Sequence, residues 1–117
     1  MATKGIPLIR NCCDTDCMSA VARTEFDEAE IGEGAAAFDA LGDEIRLKMV
    51  RLLAQHEALC VCEIQEAFPV EQPTISHHLK VLRDTNLVDV QRRGTWAYYS
   101  LRKDALKKLT QDLLGLI

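Results

Sequence analysis

Apolar residues recur every three to four positions in the middle of the chain, on either side of a short break. The first run is Val61, Ile64, Ala67 and Phe68, and the second is Ile75, Leu79 and Leu82. This spacing is typical of helices that bury one face. Pro73 fits the first turn of the second helix, where its missing N–H group costs nothing, so Gln72 is predicted as the N-cap. Residues 59–82 are therefore predicted to form a helix, a turn and a second helix.

Two segments with a strand pattern follow, after a helix end marked by Asn86. Residues 87–92 and 96–101 contain several β-branched and aromatic residues, and residues 93–95 between them include Gly94. Such a pair of segments, joined by a short turn with glycine, predicts a β-hairpin. Next to a helix-turn-helix, this hairpin is a wing.

Helical patterns also occur upstream of these elements. Residues 43–55 are predicted to form a helix capped by Asp43. Its buried stripe is predicted to be Ile45, Met49, Leu52 and Leu53, and its outward basic residues are predicted to be Arg46, Lys48 and Arg51. Residues 18–29 and 35–41 are predicted to form two helical pieces, separated by a break at Gly32 and Gly34.

The C-terminal residues 103–116 place their apolar side chains on one helical stripe. The stripe consists of Ala105, Leu106, Leu109, Leu113 and Leu114. The core of one small domain is not expected to bury all of these leucine side chains. This helix is therefore predicted to pair with a helix of a second copy of the chain. The predicted fold class is mainly α with a two-stranded β wing, a winged helix-turn-helix that is dimeric through its terminal helices.

The length of 117 residues is sufficient for one domain with one core. The chain contains no apolar run of membrane length, and residues 1–11 lack a signal-peptide core. A cytoplasmic protein with no membrane partner is therefore expected. In that compartment an odd number of five cysteines does not indicate structural disulfides, so metal binding or redox sensing is favoured.

The net charge of −4 conceals an uneven distribution. Residues 12–44 include ten acidic residues and one basic residue, whereas residues 72–108 include eight basic and three acidic residues. The basic segment contains the second helix and the wing, so the acidic total does not exclude a nucleic acid partner. The acidic segment is either an ordinary solvated surface or part of a gating device.

The exposed face of the second helix begins with small polar residues, namely Gln72, Thr74, Ser76, His77 and Lys80. Reading of the DNA major groove requires such side chains on a helix whose other face is anchored. A plain solvated face is the alternative. His78 points about 100° away from His77, so it is predicted to be packed against the protein and hydrogen-bonded. Arg92 and Arg93 at the wing tip are predicted to contact the DNA backbone or the minor groove.

Cys60 and Cys62 form a close thiol pair near the start of the first helix of this motif. Residues two apart diverge within a helix but lie on the same side of an extended segment, so the pair is expected at or just before the helix start. Helix starts favour thiolates, and thiolates bind soft ions. Two thiolates leave such an ion short of ligands, and the remaining cysteines are Cys12, Cys13 and Cys17. Two buried apolar cysteines are the alternative.

The order of the thiol pair, the segment QPTISHHLK and the segment LVDVQRRGTWAYYSL resembles the ArsR/SmtB family of metal-responsive repressors. The resemblance extends from residue 38 to the C-terminus. It implies a winged helix-turn-helix homodimer that binds operator DNA and leaves it on binding a metal ion. Residues 1–34 are then expected to be a flexible cysteine-bearing arm with a first helix, and residues 35–117 the winged helix-turn-helix domain for DNA binding and dimerisation.

The resemblance also implies where further ligands come from. Arsenic-responsive members can draw a third thiolate from three residues after the C-x-C pair, where this chain has Gln65. The arm cysteines are then the remaining source. Cys13 and Cys17 have the spacing of cadmium- and lead-sensing members, whereas Cys12 and Cys13 are adjacent, as in other arsenic sensors. The zinc site on the terminal helix of some relatives has no counterpart, because residues 103–117 contain no histidine.

The predicted inducer is As(III) or Sb(III), because an all-thiolate site without histidine suits a pyramidal ion with three sulfur ligands. Cd(II) or Pb(II) bound by four thiolates is the alternative. A redox sensor that forms a disulfide from the same thiols is a further alternative. A thiol enzyme would need a base beside its nucleophile, and the sequence shows no such constellation, so no enzyme is predicted.

Overall fold

A computed structural model describes residues 20–117 of the chain. The helices are α1 (Glu28–Leu41), α2 (Glu44–Ala54), α3 (Val61–Glu66), α4 (Gln72–Asp84) and α5 (Lys103–Leu114). The strands are β1 (Leu59–Cys60), β2 (Val88–Arg93) and β3 (Trp96–Leu101). The predicted winged helix-turn-helix, mainly helical with a β wing, is confirmed. Within residues 20–117, no helix is both long and apolar enough to cross a membrane.

β3 is the central strand of a small antiparallel sheet with the strand order β1-β3-β2. β2 and β3 form the wing. β1 adds two residues at the other edge of β3, where Leu59 pairs with Tyr99 and Cys60 pairs with Tyr98. The sequence predicted only the two strands of the wing, because a strand as short as β1 shows no alternating pattern. The segment that carries the thiol pair is therefore joined directly to the wing.

The core lies between the helices and one face of the sheet. Its fully buried side chains are Met49, Leu53, Ile64, Ile75, Leu79, Leu82, Leu87 and Val88. α4 contributes Ile75, Leu79 and Leu82, at the spacing that the sequence shows. Burying one such side chain contributes about 1.5–3 kcal/mol. The buried face of α4 therefore fixes which of its residues stay exposed.

α4 begins one residue earlier than predicted, with Glu71 as its N-cap and Gln72 as its first residue. The backbone of Glu71 is extended, and its carbonyl oxygen accepts hydrogen bonds from the N–H groups of Thr74 and Ile75. The prediction of Gln72 as the N-cap is therefore wrong. Pro73 is compatible with either start, because the N–H groups of the first turn have no partner within the helix.

α1 is one continuous helix across Gly32 and Gly34, so the break predicted there is wrong. The predicted helical piece 18–29 is also wrong in part, because residues 24–27 are not helical. A glycine costs about 1 kcal/mol relative to alanine inside a helix. The helix continues because the Asp27 carboxylate caps its start and because two of its alanines are buried. The predicted boundary between residues 34 and 35 lies inside α1.

Candidate thiol site and nucleic-acid interface

Cys60 and Cys62 lie at the junction of β1 and α3, at the helix start as the sequence predicts. Cys60 ends β1 and is the N-cap of α3, with an extended backbone, and Cys62 is the second residue of α3. Their Sγ atoms are 3.5 Å apart. Cys60 is buried and Cys62 is exposed. One thiol is therefore anchored in the protein while the other faces solvent.

Glu63 stabilises the backbone of Cys60 in this conformation. Its carboxylate accepts a hydrogen bond of 3.0 Å from the N–H of Cys60, and the sulfur of Cys60 faces the N–H of Glu63. This is the reciprocal arrangement of a capping box, with a weakly accepting sulfur in place of the usual hydroxyl. Glu63 was not among the predicted site residues, although a glutamate three residues after a cap is the sequence signal for this role.

The helix start favours the thiolate of Cys60 as expected, but the net effect of its surroundings raises the pKa of this thiol above its ordinary value of 9.0. The backbone N–H of Glu63 lowers this pKa. Burial, the Glu63 carboxylate and the Cys62 thiol together raise it by more. An ion that binds Cys60 near neutral pH therefore displaces a proton.

Cys60 lies on the outer face of the sheet. Residues that pair across antiparallel strands point to the same face, and Cys60 pairs with Tyr98, which pairs on its other side with Gln91. The opposite face carries Leu59 and Val88, both in the hydrophobic core cluster. Cys60 is buried but is not in that cluster. Cys62 is exposed, so the alternative that both cysteines are ordinary buried core residues is wrong.

The thiol pair opens into a groove of about 270 Å³, which we call the thiol groove. Its lining residues are Cys60, Val61, Cys62, Gln65, Gln72, Thr95, Trp96 and Ala97. Gln72 is the first residue of α4, and Thr95 lies in the turn of the wing. A ligand on the two thiols would therefore lie beside both α4 and the wing.

The two sulfur atoms have a spacing that suits one shared ion. Two sulfur ligands about 2.3 Å from a tetrahedral ion are about 3.8 Å apart, close to the 3.5 Å between Cys60 and Cys62. Within residues 20–117, no group of three or more Cys, His, Asp or Glu side chains is arranged to bind a metal. The other predicted ligands, Cys12, Cys13 and Cys17, lie outside the described residues. Residues 20–117 therefore bring two sulfur atoms together and no third side chain of these types.

The outer face of α4 presents the five polar residues that the sequence singles out. Gln72, Thr74, Ser76, His77 and Lys80 are all exposed. Lys80 lies 4.0 Å from the Asp84 carboxylate on the same helix, and an exposed pair of this kind contributes little to stability. These side chains are therefore accessible to a partner at the surface.

His78 is packed against α2 and hydrogen-bonded, as predicted. Its Nδ1 atom is 3.1 Å from Nη1 of Arg46 and 3.8 Å from Oδ2 of Asp43. Burial lowers the pKa of His78 by more than the Asp43 carboxylate raises it. Arg46 was predicted to face outward, but it is half-buried and its Nε donates a hydrogen bond of 2.7 Å to the carbonyl oxygen of Ala40. This prediction is wrong because helical spacing alone does not show a polar contact with another helix.

Arg92 and Arg93 are consecutive in β2, so their side chains leave opposite faces of the sheet. The guanidinium carbon of Arg93 lies 5.8 Å from the ring centroid of Tyr98, and Nη2 donates a hydrogen bond of 3.4 Å to Oε1 of Gln91. Gly94 in the following turn has a φ of +62°, a conformation that costs glycine little. Both arginines are exposed at the tip of the wing.

α1 and α5 together form an exposed apolar surface. A groove of about 450 Å³ between them is lined in part by Ile31, Phe38, Leu113 and Leu116, all of which are exposed. Leu109 is the residue of the predicted α5 stripe that is buried in the core. A contiguous apolar patch at the surface is typical of a protein–protein contact.

Residues 43–90 match the sequence profile of a family described as bacterial regulatory protein, arsR family. This segment runs from the cap of α2 into β2, and it includes the thiol pair and α4.

Curated relatives are similar to the chain over most of its length. An uncharacterised HTH-type transcriptional regulator of Methanocaldococcus jannaschii is 39% identical over 77 residues, which are 66% of this chain and 86% of the relative. An arsenical resistance operon repressor of Bacillus subtilis is 40% identical over 77 residues, 66% of this chain and 73% of the relative. A cadmium resistance transcriptional regulatory protein, a CadC homologue of Staphylococcus aureus, is 32% identical over 77 residues, 66% of this chain and 64% of the relative.

A solved structure is also similar to this fold. It is the homodimeric winged helix-turn-helix DNA-binding domain of a possible ArsR-family transcriptional regulator from Mycobacterium bovis. The two structures superpose with a TM-score of 0.65 and 27% sequence identity, over 80% of this chain and 89% of the other.

Proposed function

The chain belongs to the arsR family of bacterial regulatory proteins, and we propose that it is a homodimeric repressor that binds operator DNA when ion-free and leaves it when a soft ion binds the thiol pair. The inducer in this proposal is As(III) or Sb(III). The protein acts in the cytoplasm, where the DNA is, and it is not an enzyme. The relatives named above as transcriptional regulators support this class of function.

The observation that carries the proposal is the position of the two thiols. The Sγ atoms of Cys60 and Cys62 are 3.5 Å apart, and they line a groove that also touches the first residue of α4 and the turn of the wing. An ion at this point is next to both elements that would contact DNA. A conformational change there requires only that the ion bind the DNA-incompetent arrangement more tightly.

The remaining ligands are proposed to come from the N-terminal arm. As(III) and Sb(III) are trivalent and bind thiolates, so Cys60 and Cys62 leave one position unfilled. Cys12, Cys13 and Cys17 are the other cysteines of the chain. One of them would complete a three-sulfur site, and ion binding would then fix the arm beside the thiol groove.

DNA binding is proposed to use α4 and the wing together. The outer face of α4, with Gln72, Thr74, Ser76, His77 and Lys80 exposed, would read base edges in the major groove. Arg92 and Arg93 would contact phosphates and supply affinity independent of sequence. A dimer formed through α1 and α5 would read two half-sites about one helical turn apart.

The ion must bind the DNA-incompetent arrangement more tightly than the DNA-binding one, and the difference in binding free energy that is required is modest. Moving an equilibrium from 1:99 to 99:1 takes a differential affinity of about 10⁴, or about 5.5 kcal/mol. A smaller difference in affinity is enough to release the operator if the cellular concentration of the repressor is close to its Kd for the operator. An ion held by three thiolates supplies such a difference if the three sulfur atoms are less well placed for it in the arrangement that binds DNA.

A second candidate inducer is Cd(II) or Pb(II) bound by four thiolates. It is supported by the similarity to the cadmium resistance regulator of Staphylococcus aureus and by the spacing of Cys13 and Cys17. A repressor that senses oxidants is a third candidate. It is supported by the short distance between the thiols of Cys60 and Cys62, and it would lose DNA on treatment with peroxide in the absence of any ion.

Two measurements on the full-length protein test the choice of ion. The first is operator release, followed by fluorescence anisotropy, in titrations with As(III), Sb(III), Cd(II), Pb(II) and Zn(II). The second is X-ray absorption on the loaded protein. Release at the lowest concentrations of As(III), with three sulfur ligands on arsenic, supports the proposal. Failure of As(III) to bind while Cd(II) binds through four sulfurs would favour the second candidate.

The position of Gln65 provides a further test of the arm's role. Gln65 is half-buried and lines the thiol groove with Cys60 and Cys62. In a protein whose three arm cysteines are replaced by serine, Gln65→Cys should restore release by As(III), because it supplies the missing third sulfur. The matched control is Gln65→Ser in the same background, which should stay bound to the operator.

A further inference from the structure

A continuous row of side chains on the outer face of the sheet links the thiol pair to the wing. Cys60 in β1 pairs with Tyr98 in β3, and Tyr98 pairs on its other side with Gln91 in β2. Side chains directly opposite one another in antiparallel strands have Cβ atoms about 4.5–5.5 Å apart and point to the same face. Tyr98 is therefore the direct neighbour of the buried thiol on one side and of the wing strand on the other.

The ring of Tyr98 also contacts the side chain at the tip of the wing. Arg93 lies two residues beyond Gln91 on the same face, with its guanidinium carbon 5.8 Å from the Tyr98 ring centroid. Its Nη2 donates a hydrogen bond of 3.4 Å to Oε1 of Gln91. An arginine in these two contacts loses less conformational freedom on binding a phosphate than a free arginine does. Arg92 leaves the opposite face of the sheet, away from this ring.

We propose that Tyr98 is the positioning residue through which the thiol pair controls the wing: its ring orients Arg93 for a DNA phosphate, and ion binding at Cys60 displaces the ring. This inference rests on the proposed function, because it concerns how the same ion weakens DNA binding. It adds a connection through the sheet to the direct effect of the ion on α4.

The geometry distinguishes this connection from the one through α4. Cys60 is fixed to Tyr98 by the pairing of β1 with β3, so a movement of the Cys60 backbone is transmitted to β3 at the residue that contacts Arg93. The effect on α4 takes a different route, through the packing of α3 on α4 and across the thiol groove at Gln72. Displacement of the ring would leave the Arg93 side chain disordered, with its charge unchanged.

The test compares the operator Kd of ion-free and As(III)-loaded protein in four single variants and in the two double variants that combine Tyr98→Val with Arg93→Ala or with Arg92→Ala. Tyr98→Val removes the ring and keeps a strand-forming residue, whereas Tyr98→Phe keeps the ring. Arg93→Ala removes the positioned charge. Arg92→Ala removes the same charge from the opposite face of the sheet and is the matched control. Circular dichroism and thermal unfolding establish that each variant is folded.

The proposal predicts a specific pattern. Tyr98→Val should raise the ion-free Kd about twofold to fivefold, because an exposed cation–π contact contributes at most about 0.5–1 kcal/mol to ordering Arg93. The ion-loaded Kd should not change, so the ratio of the two falls by the same factor. Tyr98→Phe should restore both values. In the Arg93→Ala background, Tyr98→Val should not raise the ion-free Kd further. In the Arg92→Ala background, it should raise the ion-free Kd by the same factor as in the wild-type protein.

Two results would overturn the proposed role of Tyr98. Equal increases in the ion-free and ion-loaded Kd of Tyr98→Val would show that the ring has only a structural role. Independent effects of Tyr98→Val and Arg93→Ala would show that the ring does not position the arginine. If As(III) fails to release the wild-type protein, the proposed function is contradicted, while the ion-free double-variant comparison still decides whether Tyr98 positions Arg93.

Discussion

Arg46 Nη1 lies 3.1 Å from Nδ1 of His78, and this contact joins α2 to the inward side of α4. The same guanidinium reaches the end of α1, where Nε donates to the carbonyl oxygen of Ala40. Burial is the main cause of the lowered pKa of His78. A neutral imidazole can accept the hydrogen bond from Arg46, whereas a protonated one would repel it.

The first prediction is a loss of stability in mild acid that depends on His78. Its folded-state pKa is below its ordinary value of 6.5, so the unfolded chain binds the proton first as the pH falls. The stabilisation is therefore complete above the ordinary pKa and decreases as the pH falls below 6.5 toward the folded-state value. His78→Gln removes this dependence, because glutamine does not titrate and can still accept a hydrogen bond.

Urea unfolding of both proteins at pH 7.5 and pH 5.5 measures this difference. The exposed neighbour provides the control, since His77→Gln should retain the acid sensitivity of the wild-type protein. If His78→Gln and the wild-type protein lose the same free energy of unfolding between the two pH values, the neutral His78 contact does not contribute in this way.

The second prediction separates the base-specific role of α4 from the phosphate-binding role of the wing. Ser76→Ala with His77→Ala should weaken operator binding by about 1–3 kcal/mol for each base that the helix no longer reads, with little effect on random DNA. Arg92→Ala or Arg93→Ala should weaken binding to all sequences and reduce the salt slope by about 1. Lys107→Ala on the exposed face of α5 is the control. Unchanged affinity in both sets would show that DNA binds another surface.

The predicted and observed helices agree best where burial controls the pattern. α4 buries Ile75, Leu79 and Leu82 at helical spacing, and these residues alone define its register and its exposed face. Local rules were weaker at helix ends and breaks. Pro73 is compatible with either of two start positions for α4. In α1, the Asp27 cap and two buried alanines stabilise the helix by more than its glycines destabilise it.

The third prediction concerns dimer formation through α1 and α5. Leu113 is 51% exposed and lines the apolar groove between these helices. Leu113→Glu should give folded monomers with weak operator binding, because a monomer reads one half-site. Leu109→Glu is unsuitable as a test, since Leu109 is buried in the core of its own subunit.

Sedimentation velocity measures this outcome at several protein concentrations. Gln111→Glu adds the same charge to an exposed position of α5 that does not line the groove, and it should leave the dimer intact. A stable dimer of Leu113→Glu would place the contact between subunits elsewhere.

The fourth prediction uses the single tryptophan of the chain as a reporter of the thiol groove. Trp96 lines this groove with Cys60 and Cys62. Binding of As(III) to the thiols should change its emission intensity with one saturable phase, because the polarity around the indole changes. Cys62→Ser should abolish the change, and Mg(II), which prefers oxygen ligands, should cause none in either protein. The same emission change in Cys62→Ser would place the ion elsewhere.

The site could be predicted in part from the sequence. The spacing of Cys60 and Cys62 correctly predicted that the thiols lie at a helix start. Two cysteines separated by one residue point to the same side only in an extended or capping segment. The neighbours of the pair could not be predicted, since Tyr98 reaches it through its pairing with β1, a strand of two residues, and Trp96 lines the same groove. The raised pKa of Cys60 was also missed, because burial depends on packing that the sequence pattern does not specify.

The fifth prediction concerns the control of operator binding by an ion at Cys60 and Cys62, and it uses serine variants. Cys60→Ser keeps a capping residue, since serine is a favoured N-cap, and Cys62→Ser changes an exposed residue, so the fold should persist in both. Both variants should bind the operator with the wild-type Kd when ion-free, because neither residue faces the DNA in this account.

The most direct measurement is the fluorescence anisotropy of labelled operator DNA during titration with As(III). Wild-type protein should release the operator as As(III) saturates the thiols, whereas Cys60→Ser and Cys62→Ser should remain bound at the same concentrations. Release of the operator by As(III) from both serine variants, at the wild-type concentration, would contradict the account.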